Sequence, residues 1–138
     1  MTGQYRHNID AKGRLFIPAK LREELGEVFH VAVGQDHCLS VYSDPVWQKM
    51  KAKLEDLPYS EVKPMRTFFA NASDCEPDAQ GRILVPAKLR EYAGLTKEVV
   101  VIGSLNRAEI WDAARWTAME EEDFNSGALE AAMEKLGL

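Results

Sequence analysis

Two arginines, each with an aspartate four residues upstream and a glycine immediately before it, are the residues whose types and spacing best suit a chemical task. The stretch Asp10 to Glu23 reads DAKGRLFIPAKLRE and recurs at Asp78 to Glu91 as DAQGRILVPAKLRE, identical at ten of fourteen positions. An internal duplication is therefore the first fact to explain. In each copy the pair Asp10/Gly13 or Asp78/Gly81 fits a type I turn, the carboxylate taking local N–H groups and the glycine adopting positive φ. Such a turn holds Arg14 or Arg82 at a fixed place beside it. Basic residues continue at Lys12, Lys20 and Arg22 in the first copy and at Lys88 and Arg90 in the second, where Gln80 replaces Lys12. Lysine and arginine on exposed loops meet phosphates, and arginine also forks onto guanine edges. Spacing leaves open which of these tasks applies. An isolated D-x-x-x-R is usually a weak surface ion pair, and Arg22 and Arg90 have Glu23, Glu91 or a neighbouring strand as alternative partners. Duplication with the same flanks favours a binding device for the turn arginines.

Catalysis finds no comparable arrangement. His7, His30, His37, Cys38 and Cys75 fall in strand-like or turn segments, with only His37 beside Cys38, and adjacent strand residues point to opposite faces. No nucleophile and base pair is evident, and no phosphate loop, dinucleotide fingerprint, zinc-protease or nucleophile-elbow motif occurs. The run Glu120 to Asp123 reads as a solvated helix face. The two cysteines match no metal or redox spacing, and with no apolar leader a reducing cytoplasm is expected. The longest aliphatic run, Val99 to Ile102, falls far short of the ~20 residues a bilayer requires, so no membrane span is expected. The net charge of −5 argues at first against a nucleic-acid partner. Residues 1–111 carry fifteen basic and fifteen acidic side chains, however, and residues 112–138 carry two against seven. The acidic excess therefore belongs to the C-terminal segment, while the duplicated stretch is locally basic, and the local field is what a charged partner meets.

The elements that must position these arginines follow from pattern. Leu15–Phe16–Ile17 and Ile83–Leu84–Val85 are long enough for a buried strand and too short for a helix, and Pro18 or Pro86 ends each strand and suits the first helical position. Leu21 and Leu25 lie on one face of the short helix that follows; Leu89 and Ala93 repeat them. Gln4 to Ile9 alternates like an edge strand, and Val28 to Val33 and Cys38 to Tyr42 read as two more strands. Asp44 reads as the cap of a helix with Pro45 at its first position and Trp47, Met50, Leu54 and Leu57 on one face. The second half runs in the same order through Glu98 to Ile102, Ala108 to Trp111, and a helix capped by Asp112 that contains Trp116 and Met119. Pro58 to Asp74 reads as a packed connecting helix, and Ala128 to Leu138, with Leu129, Met133 and Leu136 in helical register, as a last helix whose apolar face needs a partner.

Twin D-x-x-G-R turns, each followed by three apolar residues and P-A-K-L-R-E, resemble the MraZ family, a tandem version of the AbrB-type DNA-binding domain. The resemblance covers almost the whole chain. It implies a mixed α/β, mainly β fold: a pseudo-twofold double-split β-barrel of two β-α-β-β-α repeats in one chain, at 4–57 and 73–124, joined by a connecting helix at 58–72, closed by a C-terminal helix at 125–138, and sharing one core. It implies a cytoplasmic, nucleoid-associated transcriptional regulator, a repressor of the division and cell-wall gene cluster that includes its own operon. The partners implied are double-stranded DNA at repeated operator sites and further copies of the chain in a homo-oligomeric ring. DNA contacts carry over to Arg14 and Arg82, with Lys12, Gln80, Arg22, Arg90, Lys20 and Lys88 around them, and turn roles to Asp10, Gly13, Asp78 and Gly81. No cofactor, metal or small-molecule substrate is expected. The alternative is an antitoxin-like protein-binding module, since AbrB-type domains also occur in antitoxins; against it stand the two copies and a tail with helical periodicity.

Overall fold

The computed structural model describes residues 1–138, and in it each half opens with two strands rather than one. The first half runs β1 (Gln4–Asn8), β2 (Arg14–Phe16), α1 (Ala19–Leu25), β3 (Phe29–Val33), β4 (Leu39–Ser43) and α2 (Asp44–Glu55). Two short helices, α3 (Tyr59–Val62) and α4 (Met65–Ala70), connect it to the second half. That half runs β5 (Ser73–Cys75), β6 (Arg82–Leu84), α5 (Ala87–Ala93), β7 (Glu98–Ser104), β8 (Arg107–Asp112) and α6 (Ala113–Asn125), with α7 (Ala128–Lys135) last. The order in each half is thus β-β-α-β-β-α, which corrects the β-α-β-β-α expected. The strand missing from the sequence reading of the second half, β5, is a three-residue Ser-Asp-Cys segment, too short and too polar to show a period.

The strands form an open six-stranded antiparallel sheet in the order β1-β7-β8-β4-β3-β5 and a separate two-stranded ribbon, β2-β6; they do not close into one hydrogen-bonded barrel. Replacing each strand by its counterpart in the other half reverses the sheet order onto itself, so a pseudo-twofold axis runs between β4 and β8 and between β2 and β6. The leading strands are exchanged: β1 pairs with β7 of the second half, and β5 pairs with β3 of the first. Each half is thereby tied to the other by hydrogen bonds, and an edge that would otherwise be open is covered.

Burial follows the pleat. Phe29 and Val31 of β3 and Val99 and Val101 of β7 enter a core of nineteen buried residues drawn almost equally from both halves, together with Leu15, Leu21, Ile83 and Leu89. On the opposite face of the sheet, Val100, Ile102, Trp111 and Ala113 pack with Trp116 and Met119 of α6. Trp47 of α2 stacks against Phe68 of α4 at 5.8 Å between ring centroids. Both faces are covered, giving three layers: the ribbon with α1 and α5, the sheet, and α2, α4 and α6.

Local chemistry departs from the sequence reading at three places. Pro18 and Pro86 sit at the N-cap, one residue before the first helical position, with extended ψ of 139° and 147°. Asp44 is the first residue of α2 rather than its cap, and Ser43 at the cap makes no side-chain bond, whereas Asp112 does cap α6 by accepting from the Arg115 amide at 3.1 Å. The connecting segment divides at Lys63–Pro64, because a proline nitrogen cannot donate the bond that would continue α3.

Candidate nucleic-acid interface

The turn that precedes β2 closes around the carboxylate of Asp10. Its Oδ1 accepts from the backbone amides of Lys12 (3.0 Å) and Arg14 (2.8 Å), and Oδ2 accepts from Arg14 Nε at 2.7 Å. The backbone completes the turn, with Gly13 N–H donating to the Asp10 carbonyl and Asp10 N–H donating to that of Arg14. Gly13 occupies φ +88°. The second turn repeats the set: Asp78 Oδ1 accepts from the amides of Gln80 and Arg82, both at 2.9 Å, and Oδ2 from Arg82 Nε at 3.0 Å, with Gly81 at φ +82°. The amides of Arg14 and Arg82, followed by weaker contributions that include the guanidinium groups, hold both carboxyls below their usual range, so both stay ionised. The turn roles expected for Asp10, Gly13, Asp78 and Gly81 thus have a physical basis in these bonds.

Arg22 and Arg90 do not pair with Glu23 or Glu91. Each donates Nε to the carbonyl one residue past its own short strand, Arg22 to Ile17 at 2.8 Å and Arg90 to Val85 at 3.0 Å. Each also lies against the glycine turn of the other half. A Cβ placed on Gly81 would sit 2.9 Å from Arg22 Cζ, and one on Gly13 would sit 2.8 Å from Arg90 Nε. Backbone bonds follow the same crossed path, Ile17 N–H to the Gly81 carbonyl (3.0 Å) and Val85 N–H to that of Gly13 (2.8 Å). The antiparallel ribbon register, Arg14 opposite Leu84, Leu15 opposite Ile83 and Phe16 opposite Arg82, sets the two turns at opposite ends of the ribbon and places Arg14 and Arg82 diagonally across one face of it. All four arginines are tethered through Nε, and no protein acceptor is bonded to their terminal amino groups.

Lys12 and Gln80 are exposed at the two turn tips. With each aspartate charge offset by its arginine, the first turn keeps the positive charge of Lys12 while the second is neutral, so the halves are electrostatically unequal. Lys20 stands apart from this cluster: it lines a cleft with Met1 and Thr2 on the other flank of α1. Lys88, its counterpart on α5, is exposed. A groove lined by Glu23, Glu27, Glu76 and Asp78 bounds the basic surface beside α1.

The remaining chemistry-bearing residues form no reactive site. Burial pushes the Cys38 thiol up to about 12 and that of Cys75 up to about 11, so neither is a thiolate near neutrality. No cluster of histidine, cysteine or carboxylates has the spacing of a metal site, and no helix is long and apolar enough to cross a membrane. One polar network escaped the sequence. His30, 5% exposed, faces Asp74 through Nδ1 (2.7 Å) and Asp44 through Nε2 (2.8 Å), and stacks on Trp47. It ties β3 to β5 of the other half and to the start of α2. The hydrogen bond from His30 is the main cause that holds the Asp44 carboxyl below its usual range. Its partners lie 14 and 44 residues away, and no sequence spacing signals them.

Comparison with known proteins gives the same two-part picture. The family model described as "MraZ protein, putative antitoxin-like" matches residues 1–66 and again residues 68–136. The chain is similar to the transcriptional regulator MraZ of Halothermothrix orenii, with 47% identity over 99% of this chain and 98% of the relative. It is similar to that of Moorella thermoacetica, with 49% identity over 97% and 94%, and to that of Heliobacterium modesticaldum, with 50% over 87% and 86%.

Proposed function

The chain belongs to the MraZ family, and on that premise we propose that it is a sequence-specific DNA-binding regulator of transcription and not an enzyme. The observation that carries this reading is the pair of aspartate-clamped arginines, Arg14 and Arg82, set diagonally across one face of the ribbon with their terminal amino groups free of protein acceptors. Clamping through Nε removes much of the rotamer freedom that a phosphate or guanine contact would otherwise have to freeze. Arg22 and Arg90 brace the turns and add charge, Lys12 and Gln80 contact DNA from the tips, and Lys20 and Lys88 act at the periphery. The sheet and ribbon together are read as a double-split β-barrel of AbrB type, with repeats at 4–57 and 73–124 on one shared core. The targets are repeated operator sites upstream of the division and cell-wall gene cluster, its own operon included, with repression as the sign of control. The protein is placed in the cytoplasm, associated with the nucleoid.

One chain offers few phosphate contacts, and few contacts at physiological salt give weak, non-specific binding. Assembly on repeated sites supplies avidity, so the working form is read as a homo-oligomeric ring. Two surfaces support assembly with a second copy. On α7, Leu129, Met133 and Leu136 remain exposed, flanked by Glu130 and Glu134. An apolar groove between α2, α3 and α4, lined by Leu54, Leu57, Tyr59, Val62, Met65 and Phe69, also carries Lys51, Arg66 and Glu55. A contact of α7 with this groove that the second copy does not reciprocate is head-to-tail and closes into a ring when the rotation permits.

Gel shifts across a salt series on DNA from the region upstream of the protein's own gene test the DNA reading. Arg14→Ala and Arg82→Ala each weaken binding while circular dichroism stays unchanged, and the salt slope falls by about 0.9 for every phosphate that is no longer neutralised. Unchanged affinity in the folded double variant refutes it.

A further inference from the structure

We propose that Leu84 is a specificity residue that contacts the C5-methyl group of a thymine, and that its counterpart Phe16 is withheld from this task. The inference rests on the DNA-binding reading above and names the base chemistry that one half of the ribbon meets.

Alternation in the ribbon points Leu15 and Ile83 into the core, at 0% and 2% exposure. Arg14, Phe16, Arg82 and Leu84 therefore share the outer face, and the register makes Leu84 the cross-strand neighbour of Arg14 and Phe16 that of Arg82. Directly opposed residues in an antiparallel pair lie roughly 5 Å apart at Cβ. Each turn arginine thus has one apolar companion.

The two companions are not equivalent. Phe16 is engaged inside the protein: its ring meets the edge of His7 at 5.0 Å, lies under the Arg22 guanidinium at 5.6 Å and abuts the Gly81 turn. Leu84 is 60% exposed. A single exposed leucine is ordinary on a protein surface, but this one stands on the face that carries both clamped arginines. A major groove admits a two-stranded ribbon, and the thymine methyl is the apolar group displayed on its floor. With Arg14 on a guanine edge or an adjacent phosphate, its neighbour at about 5 Å reaches the next base pair along the ~3.4 Å rise. The half-site met by Arg14 and Leu84 then selects thymine beside the arginine contact. The half-site met by Arg82 and Phe16 does not.

The test amplifies the upstream DNA fragment with dTTP or with dUTP, which keeps base pairing and removes only the methyl groups. Wild-type protein is expected to bind the thymine form more tightly, roughly fourfold for each methyl it buries. Leu84→Ser and Leu84→Gln, two variants at an exposed position, are expected to bring that ratio towards one, whereas Phe16→Leu keeps it. Equal binding of both DNA forms by wild type overturns the role of Leu84 and leaves the DNA-binding reading intact, as does a full ratio retained in both Leu84 variants. Absence of wild-type binding to either form overturns the reading on which the inference rests.

Discussion

Replacing either turn glycine by alanine is expected to destabilise the protein, and to do so unequally although the two motifs match. Both residues hold positive φ, +88° at Gly13 and +82° at Gly81, and a left-handed backbone costs an L-residue about 1–2 kcal/mol. What the new methyl meets then differs. At Gly81 the near atoms belong to side chains, Arg22 Cζ at 2.9 Å and Phe16 Cε2 at 3.0 Å, and these yield more readily than backbone. At Gly13 the nearest atom is the Val85 carbonyl oxygen, at 2.7 Å. That oxygen belongs to the backbone ahead of Pro86 and accepts from Arg90 Nε, while the Val85 amide is bonded to Gly13 itself. It cannot retreat without breaking the crossed bonds between the halves, which adds about 1–3 kcal/mol of overpacking. Gly81→Ala should therefore cost about 1–2 kcal/mol and Gly13→Ala about 2–5 kcal/mol. At about 4 °C per kcal/mol for a chain of this size, the midpoints fall by roughly 4–8 °C and 8–20 °C. Thermal and urea unfolding followed by circular dichroism measure both. Equal losses, or a larger loss at Gly81, refute the claim that backbone contact at Gly13 and side-chain contact at Gly81 distinguish the turns.

Two further outcomes follow from the same geometry. Asp10 and Asp78 are held below the ordinary carboxylate value of 3.8 in the folded chain, so their contribution is present above that value and is lost as pH falls through their lowered folded values. The melting midpoint should drop below about pH 4, and the drop should be shallower in Asp10→Asn/Asp78→Asn; an identical acid slope in that variant sinks the assignment. Leu129→Glu with Met133→Glu, at positions 44% and 42% exposed, should reduce the molar mass seen by light scattering while circular dichroism shows the chain still folded, and an undiminished mass would show that α7 does not join the copies.

Much of the candidate site is legible in the sequence, because its parts obey short-range rules. An aspartate two and four residues before its amide donors, a glycine where φ must be positive, and a proline closing a three-residue apolar strand are constraints written within five residues. The duplication of that set announced the pseudo-twofold and the two matching turns. The sequence also located β3, β4, β7 and β8, whose runs of buried residues are long enough to show. What it left undetermined was every choice between distant partners. Nothing local tells β1 to pair with β7 rather than with its own half, because strand propensity carries no address; the choice follows from covering both faces of one sheet. The same holds for side chains. Asp44 had the position of a cap, yet its carboxylate is drawn to His30 once β3, β5 and α2 converge. Arg22 and Arg90 had carboxylates one residue away, yet adjacent helical residues do not face each other, and the nearer acceptors were the carbonyls one residue past their own short strands. Lys20 and Arg22, two apart in sequence, lie on opposite flanks of α1 for the same reason. Short-range stereochemistry wrote the turns; which half each turn rests against was decided by burial and by hydrogen bonds between residues that only the folded chain brings together.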